Sequence, residues 1–398
     1  MSRETSTSYS SVTHSEIALD LHADVADWNK NIGYEHLLAV GTYQLDETTN
    51  RRYGKLYAYS TVAAADGSPA ASDGIACTEI SDNERDTIVR LMDTPMDMPG
   101  IFDLQWVPGK LHGSYTNVVT ALADGTLTIW DAVSRISYLD TLSSRHDDDD
   151  ERSFGSTNMA LTVDCIRRQE DSAEGDLFLA SSYAHGTAKV HTVAEDRLVC
   201  INNWEAHTLE AWAATWSPHQ HGNIVYTGGD DAAFCGWDTR DTHNASRVFM
   251  DTKTHNAGVC CIVESPKQEG IIFTGSYDQR FRVWDNRHTL RPICQADADA
   301  GGGVWRLKPH SEDPDIMLAA CMHHGFSIFR IHNSDQDSWE IQHCLRYPHQ
   351  QTLAYGAAWS HTARPGYTKG PIEGSLVATC SFYDNLLHIW SPIQHSNK

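Results

Sequence analysis

A chain of 398 residues with 53 acidic and 30 basic side chains has a formal charge of −23. That excess repels a phosphate backbone and argues against nucleic acid as the main ligand; its plain reading is a solvated surface. No apolar run approaches the roughly 18 residues of a membrane helix, and the ten cysteines include no CxxC pair, so reduced thiols are expected rather than a zinc site or disulfide framework.

The opening "MSRETSTSYSSVTHSE" has no apolar core, so no secretory signal is expected. Residues 1–13 read as a flexible tail and 14–398 as one domain. "HSEIALDL" (14–21) reads as a strand, and "HLLAVGTYQL" (36–45) leads into "RRYGKLYAY", which ends at Tyr59. A polar insertion, "AAADGSPAASDG" (63–74), follows. "LADGTLTIWD" then places Asp124 six residues before Trp130. "SSRHDDDDERS" (143–153) carries four consecutive aspartates, which repel one another, so a disordered loop is expected there.

"SSYAHGTAKVH" repeats the pattern with His185 and His191 at the two positions. "TGGDDAAFCGWDTR" has Asp231 and Trp237, "TGSYDQRFRVWDNR" has Asp278 and Trp284, and "CMHHGFSIF" has His323 and Phe329. After a second polar stretch, "HTARPGYTKGPIEGS" (361–375), "SFYDNLLHIW" closes the series with Asp384 and Trp390. Seven units end at 59, 130, 191, 237, 284, 329 and 390. Their commonest spacing suits four short strands with turns. Runs such as "NIVYTGG" and "SLVATCS" are short and rich in β-formers.

These units resemble WD repeats, with the Trp–Asp ending intact at Trp130–Asp131, Trp237–Asp238 and Trp284–Asp285. The resemblance implies an all-β, seven-bladed β-propeller. Only eight residues follow Trp390, so the last blade lacks an outer strand, and the segment near 14–21 is expected to supply it and close the ring. The resemblance also implies bracing sets of a loop His, a strand Thr, a turn Asp and the Trp. His207, Thr227, Asp231 and Trp237 match one; His255, Thr274, Asp278 and Trp284 match the next. Ser276, His255 and Asp278 could otherwise suggest a catalytic triad. A polar set repeated with the fold is bracing, however, and no G-x-S-x-G elbow is present.

Several stretches exceed generic repeat needs: "EAHTLEAWAATWSP" (205–218), "GGGVWRLKP" (301–309), "LAYGAAWS" (353–360) and "CSFYD" (380–384). Together they resemble the diphthine methyl esterase family, also called diphthine methyltransferase, from about residue 36 onward. That resemblance implies hydrolysis of the methyl ester of diphthine methyl ester on translation elongation factor 2, giving diphthine for later amidation to diphthamide. It implies as partners that factor and other diphthamide-pathway proteins, with no membrane or nucleic acid, a cytoplasmic setting and a monomer. No Gly-rich strand–helix loop suggests an S-adenosylmethionine site, so no cofactor is expected, and no metal set is evident. The competing reading is a non-catalytic scaffold binding the same factor or pathway enzymes.

Aligning the first strands of the units gives a column at Asp24, Phe102, Leu161, Trp212, Cys260, Trp305 and Tyr355, expected near one mouth of the central channel. Phe102, Trp212, Trp305 and Tyr355 are candidates to hold a trimethylammonium group by cation–π attraction. The bland alternative is packing or partner docking. Glu210 and His323 are the candidate general bases, and Arg306 a candidate to steady an oxyanion or carboxylate.

Overall fold

The computed structural model describes residues 8–395, apart from 64–86, 136, 141–157, 169–174, 195–196, 220–221, 242–243, 288–290, 335–337, 348–351, 362–371 and 373. The acidic run at 143–153 and most of the two polar insertions therefore lie outside the described residues. Every named element is a strand, and the strands form seven antiparallel sheets. Their inner strands are Ala23–Trp28, Ile101–Trp106, Ala160–Arg168, Ala211–Trp216, Val259–Glu264, Arg306–Pro309 and Ala354–Trp359, numbered here as blades 1 to 7. Each packs against the next and the seventh against the first, so the ring closes. All seven sequence units end within the third strand of a blade, as the repeat spacing requires.

Closure follows the expected route with a correction at its start. Strand Ser8–Ala18 pairs antiparallel with Leu386–His395, from Ser8 opposite His395 to Ala18 opposite Leu386. The tail assigned to 1–13 is thus too long. Residues 8–13 are strand, because the exposed edge of the last blade offers them unpaired backbone groups. Thr13 also joins the Tyr347 hydroxyl at 2.8 Å.

Blade 1 departs from the four-strand plan. Its long third strand, Arg51–Ala63, is edged by two pieces, Thr87–Leu91 and Met96–Pro99. Between them lies Pro95, which has no N–H to give a ladder. The core lies between blades. Where a second strand meets the next blade, glycine is required: a Cβ on Gly228 would lie 2.7 Å from Val259, and one on Gly275 2.4 Å from Val304.

Candidate functional site

At the channel end where inner strands begin, the same irregularity recurs in six blades. The antiparallel register slips at Ala23/Val25, Ile101/Asp103, Ala160/Thr162, Ala211/Ala213, Val259/Cys261 and Ala354/Ala357. Each slip spans the aligned column position: Asp24, Phe102, Leu161, Trp212, Cys260 and Tyr355. A bulge leaves one residue outside the ladder and re-aims its side chain. A backbone bond flanks each bulge, from the residue after the second strand to the residue two before the column position. These bonds are Tyr43 N–H to His22, Ala123 to Gly100, Ala184 to Met159, Asp230 to Glu210, Tyr277 to Gly258 and Phe382 to Leu353. The donors form a second ring of mouth residues beside the first.

The two rings give a chain of aromatic contacts. Trp212 meets Trp305 edge-on at 5.4 Å, past the small Cys260 of the intervening blade. Trp305 stacks on Tyr355 at 4.8 Å, and Tyr355 meets Phe382 at 4.9 Å. Phe382 stacks on Tyr43 at 6.2 Å, and Tyr43 touches Phe102 at 4.7 Å. Phe102, Trp212, Trp305 and Tyr355 are each half-buried, so their rings border both protein and solvent. His22 adds its ring to Phe382 at 4.8 Å and bonds Asn385 at 2.7 Å. The structure thus brings the four predicted aromatics into one chain, but only through Tyr43 and Phe382, which sequence reading missed. The residue following each second strand is as regular a column as the first and would have revealed them.

Arg306 spans the channel. Leaving blade 6, its Nη2–H donates to the Phe102 carbonyl of blade 2 at 2.8 Å, and it pairs with Asp103 at 3.2 Å. Both partners of that pair are nearly buried. Arg306 Nε is buried with no acceptor among the described residues, as is Trp305 Nε1. Burial raises the Asp103 carboxyl, against the pull of Arg306 and Lys308. Burial likewise pushes Asp24 up to about 8, with Arg306 opposing and Asp103 reinforcing.

The two candidate bases stand at the rim. Glu210 is half-buried and contributes its carbonyl to the Asp230 N–H; Asp230 in turn accepts the Trp212 indole N–H at 3.3 Å. His323 is exposed in the turn before Phe326. A different space, a cavity of about 530 Å³ lined by Tyr226, Phe249, Glu264 and Arg287, lies at the far end of blade 5's inner strand. Glu264 stands there where Trp28, Trp106, Trp216 and Trp359 fill the corresponding position of other blades.

The bracing sets divide. In blade 4 the set is complete: His207 Nδ1–H donates to Asp231 at 2.9 Å, Nε2 meets the Thr227 hydroxyl at 2.9 Å, and Trp237 donates to that hydroxyl at 2.8 Å. In blade 5, His255, Thr274 and Trp284 keep their bonds. Asp278 does not complete that set. Arg282 takes both its oxygens at 3.0 and 2.7 Å, and His255 Nδ1 is buried with no partner among the described residues. The expected second tetrad is therefore a triad beside an ion pair. Ser276 is buried, donates to the Ala257 carbonyl at 3.0 Å and accepts the Asp278 N–H, which is a turn brace rather than a nucleophile.

A closed ring of seven antiparallel sheets, six of them four-stranded and blade 1 with six strands, and one aromatic mouth define a WD-repeat β-propeller. A profile described as WD domain, G-beta repeat matches residues 247–285. A chain from the crystal structure of the mitotic checkpoint complex superposes with a TM-score of 0.62 at 16% identity, covering 98% of this chain and 93% of that one, and shares the fold. Diphthine methyltransferase of Mus musculus is 32% identical over 375 residues, spanning 87% of this chain and 69% of that protein. The Homo sapiens protein of that name is 31% identical, spanning 86% and 73%, and that of Schizosaccharomyces pombe 28%, spanning 93% and 97%. The chain belongs to the diphthine methyltransferase family.

Proposed function

We propose that this protein hydrolyses the methyl ester of diphthine methyl ester on translation elongation factor 2, releasing diphthine and methanol. The observation that carries the reading is the aromatic chain from Trp212 to Phe102 at the mouth. Such faces attract a quaternary ammonium ion, the group that distinguishes the diphthine substrate. The names of the relatives support action on diphthine. Hydrolysis rather than methyl transfer is favoured because every named element is a strand, whereas the familiar nucleotide crevice needs a glycine-rich strand–helix turn. In this reading Glu210 or His323 activates water at the rim and Arg306 steadies developing negative charge.

Purified protein incubated with elongation factor 2 carrying the methyl ester should remove one methylene unit of mass. No loss at stoichiometric protein would favour the scaffold reading. Trp212→Leu keeps apolar bulk but removes the ring quadrupole, and should weaken substrate binding by about 0.5–2 kcal/mol. Wild type should discriminate against an analogue with a neutral tert-butyl group, and Trp212→Leu should do so less. Equal discrimination would return the aromatics to packing.

A further inference from the structure

The first ring holds one charged residue. Asp24 occupies blade 1's position, between Tyr355 of blade 7 and Phe102 of blade 2. It is 3% exposed, and no hydrogen bond or ion pair holds its carboxyl among the described residues. This is unusual, since a buried carboxylate without a partner is costly. The Arg306 guanidinium acts on it through space, but its hydrogen bond and ion pair go to the Phe102 carbonyl and Asp103 across the channel. The neighbouring inner strand presents the Tyr355 phenol, whose ionisation is opposed first by burial and then by Asp24. Burial likewise raises the thiol of Cys380 on the strand behind, with Asp24 adding to it. At the mouth stands His22. None of these supplies a compensating positive contact.

We propose that Asp24 is the counter-ion of the mouth: a carboxyl without a hydrogen-bond or ion-pair partner among the described residues, which pairs with a quaternary ammonium group seated against Tyr355, Phe382 and Trp305. The ligand class is a small molecule or modified side chain bearing a fixed positive charge. The proposal rests on the reading that the mouth takes a trimethylammonium group, but not on what happens to the ester. Binding and proton release are then linked. Burial holds Asp24 up to about 8, so near neutral pH most molecules carry its proton. A cation favours the carboxylate and expels that proton. Affinity should therefore rise as pH climbs toward 8 and level off above it.

The test is calorimetric titration of the full chain with choline and with its neutral carbon isostere 3,3-dimethylbutan-1-ol, at pH 6 and 8.5. Two buffers of different ionisation heat count the protons released. Wild type should bind choline about tenfold or more tightly at pH 8.5 than at pH 6, with proton release near neutral pH. Asp24→Asn mimics the protonated carboxyl and should keep the melting temperature. It should bind the neutral alcohol as wild type does, bind choline at least about tenfold more weakly at pH 8.5, and lose the pH dependence. If Asp24→Asn binds choline as wild type does, or keeps the pH dependence through His22, the counter-ion assignment is overturned. Absence of choline binding by wild type overturns it too. Choline binding without ester hydrolysis would leave Asp24's role standing and remove only the proposed reaction.

Discussion

Blades 4 and 5 carry nearly the same string of residues and satisfy it differently. Both place a loop histidine on a strand threonine that also receives a tryptophan N–H. In blade 4 the turn aspartate completes the set, and the residue two before Trp237 is Cys235, which offers it no charge. In blade 5 that position is Arg282, which turns its guanidinium back to Asp278 as a pair only 5% exposed on either side. The electrostatics follow. Burial would raise Asp231, but the His207 bond and the Thr208 N–H outweigh it and hold its carboxyl well below the usual range. His255, denied the carboxylate, is pushed down to about 4 by burial and then by Arg282. A repeat can thus conserve its residues while one neighbour redirects a bond.

The largest break should come from Asp278→Ala. It strands a buried guanidinium and should destabilise the protein by about 3–5 kcal/mol, against about 1–3 kcal/mol for Asp231→Ala, which leaves His207 Nδ1 and the Thr208 and Ala233 N–H groups without that acceptor. Denaturant midpoints of the two variants decide it; equal losses would mean that the ion pair adds nothing beyond a hydrogen bond. A sharper comparison comes from pH. The folded value for His255 lies below its ordinary 6.5, so below about 6.5 the unfolded chain takes up a proton that folded His255 refuses. Stability should therefore fall as pH drops from 6.5 toward 4. Arg282→Cys gives blade 5 the residue of blade 4 and frees Asp278 to accept the His255 N–H. The variant should lose less stability than wild type between pH 7.5 and pH 5, measured by chemical denaturation, whatever its stability at pH 7.5. Other buried histidines contribute to both proteins, so only the difference reports on His255. The smallest effect is expected from Ser276→Ala. It removes the hydroxyl's bonds to the Ala257 carbonyl and from the Asp278 N–H, should cost about 0.5–1.5 kcal/mol, and should leave ester hydrolysis near the wild-type rate. Abolished hydrolysis with unchanged melting would reinstate Ser276 as a nucleophile.

Much of the architecture was legible because repeat geometry is local. A six-residue spacing reports a hairpin of set length: four Asp–Trp pairs show it outright, and three altered copies ending at Tyr59, His191 and Phe329 complete the count of blades. The strand pattern near 14–21 likewise marked the segment that pairs with the third strand of blade 7. The column at Phe102, Trp212, Trp305 and Tyr355 was readable for the same reason: one position in each inner strand carries the bulge. Tyr43 and Phe382 belong to a column just as regular, one strand further out.

What the chain order alone determined about this protein is the ring: seven β-units, their third strands, the closing strand and the positions that face the mouth. These follow from hydrogen-bonding periods a few residues long. Only the tertiary structure decided which mouth residues touch, that Arg306 reaches Phe102 and Asp103 across the channel, that Asp24 lies buried with no hydrogen-bond or ion-pair partner among the described residues, and that Arg282 takes Asp278 from His255. Side-chain reach and burial settle those outcomes. Phe102 and Arg306 become neighbours only once ring closure brings blades 2 and 6 to face each other across the channel, and the Arg282 guanidinium reaches Asp278 only once the turn of blade 5 folds back on its third strand.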